Sequence, residues 1–105
     1  MLKAVFYKQG NDLTGFSVSG HAGYGTEGND IVCAAISSNV MLVCNTVTEF
    51  FKAEADVEVK ENEIILFLKE DNAPAKQLLA SFFQHMEIIA EEHRKIKLET
   101  RITGG

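Results

Sequence analysis

The sequence predicts an α+β fold: a mostly antiparallel sheet of about five strands with two long helices packed on it, in the order ββαββαβ. Three observations predict it. Short stretches of period-two apolar alternation come in pairs around turn residues. Two long stretches, clear of glycine and of interior proline, repeat apolar side chains at helical spacing. At 105 residues, 46% apolar and 24% charged, the chain has the size and composition of a single domain, 1–105.

The elements follow in order. Residues 2–8 alternate, with Leu2, Ala4 and Phe6 on one face of a strand, and Gln9-Gly10-Asn11-Asp12 is turn chemistry. A second strand over 13–20, carrying Phe16 and Val18, completes a hairpin. The stretch 31–51, without glycine or proline, reads as a long helix, and Asn29 or Asp30 suits its N-cap. With Asp30 as the cap, Cys33 occupies the third helical position, within the positive end-charge. Residues 55–60 and 63–69 form a second hairpin around Glu61-Asn62. Asn72-Ala73-Pro74 opens a second helix, where the missing proline N–H costs little. Its stripe is Leu78, Leu79, Phe82, Phe83, Met86, Ile89 and Ala90. A last strand over 96–102 sets Ile96, Leu98, Thr100 and Ile102 on one face.

Charge and cysteine usage narrow the function classes. A formal charge of -5 argues against a surface that tracks phosphates, so no direct nucleic-acid binding is expected. An acidic surface does attract basic proteins by long-range steering. The N-terminal residues alternate and carry charge, unlike a secretory signal. No apolar run is expected to reach bilayer-spanning length, and the expectation is a cytoplasmic protein without membrane contact. Cys33 and Cys44 suit a reducing compartment, and on one helix they stand roughly 16 Å apart, too far for a bridge.

The chemistry concentrates in Gly20-His21-Ala22-Gly23-Tyr24-Gly25-Thr26-Glu27-Gly28-Asn29-Asp30-Ile31-Val32-Cys33. Gly23 to Gly28 spell G-x-G-x-x-G, but no lysine follows, and Glu27 and Asp30 would repel an anion. The same glycines also suit a plain connection, or a lid over a site whose chemical groups lie at its two ends. A lone cysteine is more often a small buried apolar residue. A cysteine at a helix start with a histidine across the loop is instead the pattern of a nucleophile and its base. Ser37, four residues on, shares the helix face of Cys33. Cys44 suits the core, and His85 and His93 suit a solvated face among glutamates. His21, Cys33 and Cys44 lack zinc-ligand spacing, so neither metal nor cofactor is expected. A nucleophilic enzyme, a non-catalytic adaptor and a thiol redox sensor all remain open on these residues.

The stretch from Gly20 to Ser37 closely resembles the ribosomal-processing cysteine protease (Prp) family and departs from its motif nowhere. The resemblance extends over essentially the whole chain in length and element order. It implies a small dimeric cytoplasmic endopeptidase. The implied substrate is the N-terminal extension of large-subunit ribosomal protein number twenty-seven. It also implies His21 and Cys33 as the catalytic pair, with Asp30 and Ser37 in support. Gly23, Tyr24, Gly25, Gly28 and Asn29 then belong to a substrate-binding loop that moves aside as the peptide enters. Backbone N–H groups of the helix start near Ile31 are expected to hold the oxyanion.

Overall fold

The computed structural model describes residues 2–20, 27–93 and 95–103, with 27–30 described in backbone only. Strands β1 (Leu2–Gln9) and β2 (Asp12–Ser19) precede helix α1 (Glu27–Asn45), which runs into a π-helical turn at Thr46–Phe50. Strands β3 (Ala55–Lys60) and β4 (Glu63–Leu68), helix α2 (Ala73–Glu92) and strand β5 (Ile96–Ile102) complete the order ββαββαβ. The predicted fold class holds. The sheet order is β3-β4-β2-β1-β5, antiparallel except for the β1–β5 pair, which is parallel. The return to β5 therefore needs a crossover, and α2 supplies it.

Period-two patterning decides which sheet face receives the helices. Phe6 stands opposite Phe16, and Phe16 opposite Leu66, while Ala4, Val18 and Ile64 form the next row. All six lie in the core beneath Ile36, Val40 and Val47 of the α1 stretch and Leu79, Phe82 and Met86 of α2. The Phe6 ring sits 5.9 Å from Phe16, 5.4 Å from Phe82 and 5.0 Å from Phe83, mostly edge-on, as aromatic quadrupoles prefer. On the opposite face, the Tyr7 and Phe67 rings meet at 4.9 Å over Gly15. A Cβ at Gly15 would lie 2.5 Å from the Phe67 ring, which is why glycine occupies a strand position.

Helix ends follow from local chemistry. Asn72 Oδ1 accepts from the Ala75 N–H at 2.9 Å, the expected cap of α2, with Pro74 in the first turn. The Thr46 and Thr48 hydroxyls donate to the Leu42 and Cys44 carbonyls, one turn back, where the helix widens into the π turn. Lys52 then takes φ 51°, and Ala53 N–H donates to the Val47 carbonyl at 3.0 Å. That left-handed stop is one glycine usually provides.

Two expectations need correction. The α1 helix starts at Glu27, four residues before the predicted 31, so Gly28, Asn29 and Asp30 are helical and Asp30 is not its N-cap. A single glycine costs only about 1 kcal/mol in a helix, which the following apolar turns outweigh. The stretch Ile31–Phe50 has a mean hydropathy of 1.7 and is long and apolar enough to cross a bilayer, contrary to the expectation of no such run. Its serines, asparagines and threonines are uncharged and interrupt the run without lowering it much. In this fold the same stretch places Ile36, Val40, Val43 and Val47 in the core.

Candidate active site

The sheet fixes where the chain enters the predicted site. There Ser19 closes β2 opposite Lys3 and Glu63, and Gly20 follows with φ 79°, a left-handed turn that suits glycine. Gly20 N–H donates to the Asn62 carbonyl at 2.8 Å, which fixes where the chain leaves the sheet. His21 is the next residue. His21, Gly23, Tyr24 and Gly25 lie outside the described residues, as do the side chains of Gly28, Asn29 and Asp30.

Cys33 sits in the second turn of α1, half-buried and packed against the edge of the core. Its neighbours explain the placement. Ile36 is buried below it, and Ala34 and Ala35 are exposed beside it. Ser37 follows one turn on, half-buried. The sequence reading put Cys33 in the first turn, but with α1 starting at Glu27 it is the seventh helical residue. The end-charge of a helix fades beyond its first turn. The free N–H groups are therefore those around 27–30 and not those near Ile31.

Cys44 is the contrasting thiol. It is 5% exposed, and burial pushes it up from 9.0 to about 11. Such a thiol is inert at neutral pH and packs as a small apolar residue. His85 and His93 are exposed on and just after α2, as expected of a solvated face. No three His, Cys, Asp or Glu among the described residues are grouped as metal ligands. No signal in the sequence singled out the π turn or Lys52. Back-bonding threonines at 46 and 48 are the only hint of either.

The structure thus offers a half-buried thiol in the second turn of α1 on an α+β scaffold. The description "Cysteine protease Prp" belongs to the family whose model matches residues 1–97, and the chain belongs to that family. It is a cysteine protease, which sets aside the adaptor and redox-sensor alternatives. No curated protein matches the sequence. Among solved structures, SMU.848 from Streptococcus mutans superposes with a TM-score of 0.90 at 22% identity, over 98% of this chain and 96% of that one. The essential ribosomal processing protease Prp from S. aureus, in complex with a substrate peptide, superposes at 0.84 with 19% identity, over 98% and 100%. The same protein with a covalently linked product peptide gives 0.84 at 22% identity, over 96% and 100%. At these identities the superpositions establish the shared fold.

Proposed function

We propose that residues 1–105 act as one catalytic domain that removes the N-terminal extension of a large-subunit ribosomal protein, number twenty-seven, with Cys33 as nucleophile and His21 as base. The observation that carries this reading is the family match, which spans both residues, joined to a Cys33 that is only half-buried. The substrate reading draws on the S. aureus structure with its substrate peptide.

The chemistry is acyl transfer. His21 takes the proton from Cys33 Sγ, and the thiolate attacks the scissile carbonyl carbon. The resulting oxyanion is held by N–H groups of the first turn of α1, around 27–30. The imidazolium gives its proton to the leaving amine as the C–N bond breaks, leaving a thioester on Cys33. Water, deprotonated by the same imidazole, then hydrolyses the thioester and restores the thiol. Asp30 and Ser37 support the pair. Gly23, Tyr24 and Gly25 form the substrate-binding loop, with Gly28 and Asn29 contributing from the helix start.

The enzyme works in the cytoplasm, where its ribosomal substrate is made, and binds no nucleic acid directly. It acts as a homodimer, a reading supported by exposed apolar side chains on α1 and the π turn after it, where Leu42 is 65% and Phe50 80% exposed. The test is incubation with the precursor and detection of a single cut by mass spectrometry. Cys33→Ala and His21→Ala are each expected to lower cleavage at least a hundredfold with an unchanged circular dichroism spectrum. A Cys33→Ala protein that cleaves at the normal rate would falsify the assignment.

A further inference from the structure

Outside the catalytic segment, the clearest unassigned concavity is an open groove of 640 Å³ between α2 and β5. Its floor is apolar: Ile88, 53% exposed, with Ala90, Ile96 and Leu98. Its rim is Gln84, Glu87 and Glu91, all on α2 and all exposed. Beside it, β5 is the last strand of the sheet, so one row of its N–H and C=O groups faces away from β1. Such an edge can accept an extended chain as an additional strand, with pockets for alternate side chains.

The groove lies at the same end of the sheet as the catalytic segment. Ile96 pairs with Leu2, and Lys3 pairs with Ser19, one residue before Gly20. Two strand spacings, about 10 Å, separate β5 from β2. Three or four extended residues, at about 3.3 Å each, cover that span.

We infer that this groove is a second docking site for the substrate protein, taking a basic, partly apolar segment outside the cleaved bond; this rests on the ribosomal reading above. Charge complementarity selects the occupant. A protein that seats on ribosomal RNA neutralises phosphates with lysine and arginine, so its body is basic. The groove offers that surface two carboxylates, spaced one helical turn apart, over an apolar floor. Among the described residues, no ion pair is formed by either carboxylate. Lys97 sits on the opposite face of the sheet, because Ile96 and Leu98 face the helices. The protein's charge of -5 adds long-range attraction in the same sense.

The experiment compares two substrates. One is the full-length precursor protein; the other is a short peptide containing only the cleavage site. In the Glu87→Lys/Glu91→Lys variant, KM for the precursor is expected to rise at least fivefold with kcat unchanged. Its kcat/KM on the short peptide should match the wild type, and Ile88→Ser should act in the same direction. Raising salt should erode precursor cleavage by the wild type more than by the variant. A wild type that cleaves both substrates, with a charge-reversed variant showing no selective loss on the precursor, overturns the docking site alone. So does a variant whose sedimentation mass changes while its precursor KM stays the same, because the groove then serves a second copy. A wild type that cleaves neither substrate removes the proteolytic reading and this inference with it.

Discussion

Cys33 and Cys44 lie on the same helix, and their environments give them opposite chemistry. Cys33 is half-buried at the surface, whereas Cys44 is enclosed by the core, which disfavours its thiolate. Iodoacetamide at neutral pH should therefore modify the folded protein once, at Cys33, with Cys44 reacting only after unfolding. Peptide mapping by mass spectrometry checks this, and equal labelling of the two would contradict it. His21→Ala should slow the Cys33 reaction if the imidazole assists the thiol. The core placement of Cys44 was legible from its neighbours Val43 and Asn45 in a helical register. The position of Cys33 within its turn was not, because glycine-rich 23–28 carries too weak a propensity signal to fix a helix start.

At the level of elements, α2 shows how far local signals reach. Asn72, Pro74 and the stripe through Leu79, Phe82 and Met86 all indicate the same helix, and the structure has it at Ala73–Glu92. Its cap is one hydrogen bond, so Asn72→Ala should cost about 1 kcal/mol, measured by urea unfolding with an unchanged slope. A loss near zero would mean that the Ala75 N–H finds another acceptor. The α1 helix is the harder case. Its apolar run fixed the body of the helix, but its start moved to Glu27 and its end widened into a π turn. The downstream end depends on tertiary packing, since Val47 and Ala53 are buried in the core. Propensity does not carry that packing.

Across the whole molecule, stability is graded over the sheet. Half or more of the residues of β1 and β2 are buried and none of β4 is exposed, whereas β3 is an edge strand with five of its six residues exposed, including Val59 at 65%. Amide hydrogen exchange should accordingly be slowest in β2 and about tenfold or more faster in β3, which opens locally. Uniform protection across all five strands would contradict that gradient. The parallel β1–β5 pair closes the opposite edge and joins the end of the described chain to its start.

The sequence by itself determined the alternation of elements, the composition of the core and the Gly20-to-Ser37 stretch that resembles the family's motif. All three are local: they depend on period, turn residues and spacing within about thirty positions. Only tertiary structure decided that β5 joins β1 in parallel, that α1 begins before Ile31, and that an acid-rimmed groove opens beside α2. These depend on which distant surfaces meet, and that choice is made by the burial of the molecule as a whole and not by any one segment.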